Sequence, residues 1–236
     1  MMIFANSTPP SRATQTCGRT PPPQPVLPLN PALDRLGSVV LANRNTAVIE
    51  EGDRAEYVFK VVAGALRTVR LLPDGRRHVA NFLLPGDFFG FTETDTYTQG
   101  VEAVADATLV RYPRSSVEKV METDPSLARR FLTMICGQLA STQDRLLLLG
   151  RKTAVERLAT FLLAMAERTC TEQGDDREVD LPMSRGDIAD YLGLTVETVS
   201  RVLSQLRSTK VIDLPSATHI VFLKQQALRE MSAGAA

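Results

Sequence analysis

The sequence predicts an α+β chain in three parts: a barrel of short strands, one long helix, and a compact helical domain with a small β-wing. Three observations predict it. Short β-type segments punctuated by glycine fill residues 46 to 112. Apolar residues recur at alternating steps of three and four from Leu132 to Leu149. Residues 184 to 209 read SRGDIADYLGLTVETVSRVLSQLRST, two short amphipathic helices about Leu192-Gly193-Leu194.

The chain of 236 residues has room for two ordinary domains. Its 27 basic and 27 acidic residues give a formal charge of zero. No global field therefore pulls it toward nucleic acid, and any such binding must come from a local patch and from dimerisation. The three cysteines, Cys17, Cys136 and Cys170, are far apart and form no CxxC. With only His78 and His219 beside them, neither a disulfide framework nor a metal site is indicated. The N-terminus has no basic leader and no long apolar core, so it does not read as a secretory signal. No apolar run approaches a membrane span. The expected location is the cytoplasm.

Residues 1–30 are rich in proline, from Pro9 and Pro10 to Pro28, and are expected to form a disordered tail. Residues 31–123 form the barrel. Its segments TAVIEEGD, YVFKVVAGALRTVRLL, RRHVANFLL and VEAVADATLVRY are separated by Gly52, Gly64, Gly75, Gly86 and Gly90. Short strands with regular turn signals indicate a barrel or sandwich. Leu71 to Arg76 reads as a hairpin connection.

Residues 124–150 form the long helix. Asp124 is a good N-cap and Pro125 suits the first helical position. Leu132, Ile135, Leu139, Thr142, Leu146 and Leu149 make a heptad-like seam, so a paired, dimerising helix is expected. Thr142 is its polar interruption, and Gly150 is a suitable stop. Residues 151–236 form the last domain. A helix over Thr153–Arg168 buries Val155, Leu158, Phe161, Leu162 and Met165. Residues 171–180 read as a charged loop. VID and HIVFL read as two wing strands. A last helix starts near Lys224 and fades into Ser232–Ala236. Such a small-residue end is a candidate grip for a cytoplasmic protease.

Residues 184–209 carry the chemistry. Ser184 and Asp187 form a box-like N-cap. Gly193 fits the tight turn of a helix-turn-helix. Thr195 caps the second helix, which buries Val199, Val202, Leu203 and Leu206. Val196, Glu197, Thr198, Ser200, Arg201 and Gln205 remain outside. In a winged helix-turn-helix the N-terminal half of the second helix enters the major groove of DNA. There Arg201 suits the O6 and N7 of guanine, Glu197 a cytosine amino group, and Val196 a thymine methyl. Ser200 suits a thymine or a phosphate. Ser184, Arg185, Thr195, Thr198 and Arg207 fall to backbone contacts or caps. The bland alternative is a solvated helix with a Glu197–Arg201 ion pair, worth only about 0.2–0.5 kcal/mol.

The order of barrel, heptad helix and winged helix-turn-helix resembles the Crp/Fnr family of bacterial transcription regulators. The match runs from about Asn45 to Phe222, and MSRGDIADYLGLTVETVSR resembles the family's DNA-binding signature, most of all its FixK-type branch. The resemblance implies a cyclic-nucleotide-binding-like barrel (a double-stranded β-helix), a homodimer, a TTGA…TCAA palindrome and activation of RNA polymerase. It also implies control of microaerobic, denitrification or nitrogen-fixation genes. It places Glu197, Ser200 and Arg201 on the base-reading positions.

Two departures matter. Cys17 stands alone, and the barrel segment has no cysteine, whereas an iron–sulfur cluster needs about four ligands. No arginine lies between Phe91 and Asp106 to clamp a cyclic phosphate. No cofactor is therefore expected. His78 reads as a surface strand histidine rather than a haem ligand. Two rival functions stand beside this one. A cupin-like enzyme would want clustered histidines, and the barrel offers only His78. A sensor whose barrel binds an unidentified effector remains the alternative.

Overall fold

The computed structural model describes residues 31–71, 75, 77–169 and 177–234. The expected N-terminal tail, Cys17 and Cys170 lie outside them. A short helix α1 (Pro31–Asp34) leads into eight strands: β1 (Ser38–Ala42), β2 (Ala47–Ile49), β3 (Tyr57–Ala63), β4 (Leu66–Leu71), β5 (Arg77–Leu83), β6 (Phe88–Phe89), β7 (Gly100–Ala103) and β8 (Ala107–Pro113). They form two antiparallel sheets, ordered β1-β8-β3-β6 and β2-β7-β4-β5. Leu71 pairs with Arg77, so β4 and β5 form the expected hairpin, although residues 72–74 and 76 of its turn lie outside the described ones.

Side chains alternate across each sheet, as a period of two requires. On β3, Phe59 and Val61 face the barrel interior while Val58 faces the helices outside. Phe59 stacks on Phe89 inside, with ring centroids 5.0 Å apart. Gly64 sits at the β3–β4 turn with φ +82°, and a Cβ there would lie 2.2 Å from the Asp106 carbonyl oxygen. Only glycine meets both demands.

Helix α2 (Arg114–Thr123) follows the barrel. It was not expected from the sequence, because it opens without a side-chain cap. Helix α3 (Pro125–Arg151) begins as predicted: Asp124 accepts from the amides of Ser126 and Leu127 at 2.9 and 3.3 Å. It runs one residue past Gly150. Helix α4 (Ala154–Thr169) buries Leu158, Phe161, Leu162 and Met165 as expected, with Ala159 and Ala166 added, while Val155 is only half-buried at the edge of the core.

The remaining elements are β9 (Glu178–Asp180), α5 (Arg185–Leu192), α6 (Val196–Ser208), β10 (Ile212–Asp213), β11 (His219–Phe222) and α7 (Gln225–Ala233). The wing has three strands, in the order β10-β11-β9, not two. Residues 178–180, expected in a charged loop, pair antiparallel with β11. Pairing exposes Glu178 and Asp180 and buries Val179. The chain end also differs from expectation. Gly234 closes α7 in the left-handed conformation, and Lys152 Nζ donates to the Ser232 carbonyl at 2.8 Å. Ser232 is thus tied back to Lys152, while Ala235 and Ala236 lie outside the described residues.

One hydrophobic core joins the two halves. Val69, Val79, Phe82 and Leu84 on the outer face of the second sheet pack with Phe161, Leu162, Ile188 and Leu192. The reading domain is therefore seated on the barrel as well as tethered to it.

Candidate nucleic-acid interface

The helix-turn-helix is built from short-range signals. Ser184 Oγ accepts from the Asp187 amide, and Asp187 accepts in return from the Ser184 amide, a reciprocal cap. Gly193 ends α5 with φ +61°. Its amide donates to the Ala189 carbonyl, closing the last turn as a left-handed cap does. Thr195 Oγ1 then accepts from the Thr198 amide at 3.2 Å and starts α6. Arg157 holds the junction from below. It donates to the carbonyls of Leu149, Lys152 and Leu192 at 2.8, 2.9 and 3.0 Å. The ends of α3 and α5 are thereby tied to α4. No local pattern could have revealed this role, because Leu192 lies 35 residues away.

Helix α6 buries Val199, Val202, Leu203 and Leu206 against the core. The opposite face is open. Val196 is 44% exposed, Glu197 and Arg201 are exposed, and Thr198 and Ser200 are half-buried. Among the described residues Arg201 makes no ion pair, so the bland Glu197–Arg201 pair is not formed. The Glu197 carboxyl is held below its usual range by its own backbone N–H and then by the Thr195 hydroxyl. It is ionised at neutral pH and only accepts hydrogen bonds.

Arg185 Nη1 donates to Ser200 Oγ at 3.3 Å, so the exposed start of α5 lies beside the reading face. Ser184 is exposed next to it. Arg207 sits at the far end of α6, with Nε 3.5 Å from Asp213 Oδ1 and both side chains at least half exposed. The four base-reading candidates thus share one face, and the backbone candidates flank it.

The long helix carries the second feature. Leu127, Phe131 and Leu148 are buried on its own chain. Leu132, Ile135, Leu139 and Leu146 are 62, 44, 58 and 67% exposed. Thr142 is exposed among them and donates to the Gln138 carbonyl at 2.8 Å. Leu149 departs from the seam: it is half-buried and packs against the reading domain. Leu147, absent from the expected seam, is 66% exposed.

In the barrel, no described arginine lies in residues 91–106. Tyr57, Phe59, Phe89 and Tyr97 crowd the interior, and a cavity of about 300 Å³ remains at one end beside Arg54 and Arg111. Groups of three or more His, Cys, Asp or Glu side chains placed to hold a metal are absent among the described residues. Likewise, no described helix is long and apolar enough to cross a membrane.

A glycine-turned helix-turn-helix with an open polar face, a wing beside it and an antiparallel barrel define the class of two-domain winged-helix DNA-binding regulators. Within that class the chain belongs to the Crp/Fnr family of transcription regulators, in its FixK-type branch. Residues 156–231 match the Crp-like helix-turn-helix domain, and residues 40–124 match the cyclic nucleotide-binding domain. The nitrogen fixation regulation protein FixK of Azorhizobium caulinodans is 42% identical, over 83% of this chain and 79% of that one. The transcriptional activatory protein AadR of Rhodopseudomonas palustris is 36% identical, over 76 and 75%. The solved structure of FixK2 from Bradyrhizobium japonicum, 42% identical, superposes with a TM-score of 0.78 and covers 85% of this chain and 99% of that one.

Proposed function

We propose that the chain is a homodimeric, sequence-specific activator that reads a TTGA…TCAA palindrome. Its dimer seam is the exposed stripe Leu132, Ile135, Leu139 and Leu146, with Thr142 within it. Each α6 lays its N-terminal half in a major groove. Arg201 and Glu197 read the inner G·C pair, Val196 lies on the outer thymine methyl, and Ser200 supports them. Arg185, Thr195, Thr198 and Arg207 hold phosphates. The complex acts on RNA polymerase in the cytoplasm, at genes for low-oxygen growth, denitrification or nitrogen fixation; the names of the relatives support the activation and the nitrogen-fixation parts of this reading.

The observation that carries this reading is the open face of α6: a guanidinium and an ionised carboxylate, neither in an ion pair among the described residues, at the N-terminal turns of a helix fixed by its buried stripe Val199, Val202, Leu203 and Leu206. The test is selection from random duplex DNA by ligand-free protein at one fixed salt concentration. An inverted TTGA repeat is the expected product. Enrichment of an outer G, as in GTGA, would refute the role of Val196. No enrichment without an added small molecule would favour a ligand-dependent sensor instead.

A further inference from the structure

The barrel and the reading head also meet through charge. Arg67 of β4, Arg77 of β5 and Glu102 of β7 face Asp187 and Asp190 of α5. Arg67 Nη1 donates to Asp187 Oδ1 at 2.6 Å, while its Nε and Nη2 donate to Glu102 Oε2 at 2.9 and 2.6 Å. Arg77 Nη2 donates to Asp187 Oδ1 at 3.0 Å and to Asp190 Oδ2 at 3.2 Å. The Arg67 and Asp187 side chains are only 10 and 3% exposed.

Asp187 is thus used twice. Oδ1 takes both barrel arginines, and Oδ2 accepts from the Ser184 amide and hydroxyl at 3.1 and 2.7 Å. A buried carboxylate saturated in this way has one acceptable orientation, because losing a partner leaves its charge uncompensated. The covalent link between α3 and α4 is only Lys152 and Thr153. A two-residue link fixes a point, not a direction. Beside the shared hydrophobic core, which is non-directional, the ion cluster supplies a directional attachment on α5 itself.

We infer that Arg67 and Arg77 are positioning residues for DNA reading: the barrel, through Asp187, sets the direction in which α6 is presented. This rests on the palindrome reading above. In a dimer two fixed heads have one separation, so half-site spacing is the quantity these arginines control. A cluster that served only general stability would lower affinity at every spacing alike.

The experiment compares the full-length protein with Arg67→Met/Arg77→Met on palindromes whose half-sites are moved apart or together by one or two base pairs. The wild-type chain is expected to favour one spacing by about tenfold or more, and the double variant to bind all spacings within about threefold of one another. Arg67→Lys, which keeps the charge, should restore much of the preference. An unchanged spacing profile in the double variant overturns the inference. If the double variant does not fold, Arg77→Gln, which alters only the more exposed arginine, is read in the same way. A second readout needs no DNA: tryptic cleavage after Arg151 or Lys152, followed by mass spectrometry, should speed up when the head is released. If wild-type protein selects no palindrome, the functional reading fails, and this cleavage rate decides the tether by itself. A rate unchanged by the substitutions then overturns it.

Discussion

Helix α5 turns both of its acids, Asp187 and Asp190, toward arginines of the barrel, whereas α6, three residues further on, holds Glu197, Arg201 and Arg207 toward solvent. Both helices are capped by a hydroxyl, and both bury an aliphatic stripe. They differ in where charge is committed. On α5 both carboxylates are paired within the chain. On α6 Glu197 and Arg201 stay hydrated and available, so a partner meets little competition for them, and Arg207 is held only by an exposed pair with Asp213 at 3.5 Å. Helix α3 repeats the contrast with apolar groups: Leu127 and Phe131 are spent on the chain's own core, while Ile135 and Leu139 are left uncovered.

The largest effect should come from breaking the uncovered half of α3. Ile135→Asp with Leu139→Asp leaves the protomer's hydrophobic core clusters intact, since neither side chain belongs to them and both are largely exposed. It would place charges in a buried seam with no partner. The expected product is a folded monomer, with palindrome affinity down by about a thousandfold, near the level of non-specific binding. Sedimentation and a gel-shift titration check this. A variant that still sediments as a dimer would move the seam elsewhere.

The outer face of α6 gives the next effect. Arg201→Ala should cost about 1–3 kcal/mol per half-site and relax the choice at the inner G. The thermal midpoint of the free protein should not move, because Arg201 has no ion pair there to lose. Arg207→Ala should weaken all sequences alike and flatten the salt slope by about one. Affinities for single-base variants at fixed salt separate the two. Equal weakening of every variant by Arg201→Ala would demote it to a backbone contact.

The same contrast explains what the sequence made legible. The caps at Asp124, Ser184 and Thr195, the turn at Gly193 and the outer face of α6 depend on residues three or four apart, so their spacing is visible in the chain. Strand β9 reads as a loop in the sequence because Glu178-Val179-Asp180 has one apolar residue, and its partner β11 begins at His219. The seam extends through Leu149 in the sequence because the apolar repeat continues there. What changes at Leu149 is the neighbour, as α5 and α4 close over the end of α3. Arg67 looked like an ordinary strand arginine, since Glu102 and Asp187 lie 35 and 120 residues away.

The smallest effect tests the rim of the barrel–head joint by pH. His78 Nε2 lies 3.1 Å from Arg145 Nη2, and the Arg145 guanidinium covers the Tyr191 ring of α5 at 4.5 Å. A guanidinium only donates, so Nε2 must accept, and the imidazole is neutral. Burial first, and then the Arg145 charge, lower its pKa from the ordinary 6.5, against a weaker opposing pull from Asp190. Below the ordinary value the unfolded chain therefore binds a proton that the folded chain resists, and stability falls as pH drops through that window. At higher pH both states are neutral, and the group contributes no pH dependence. Because His78 is only partly buried, solvent screens much of this. His78→Gln keeps an acceptor for Arg145 and removes the titration. From about pH 7 to about pH 5.5 the wild-type midpoint should fall further than that of the variant, by about 1–2 °C. Parallel melting curves across that range would mean that the imidazole is not held neutral against Arg145.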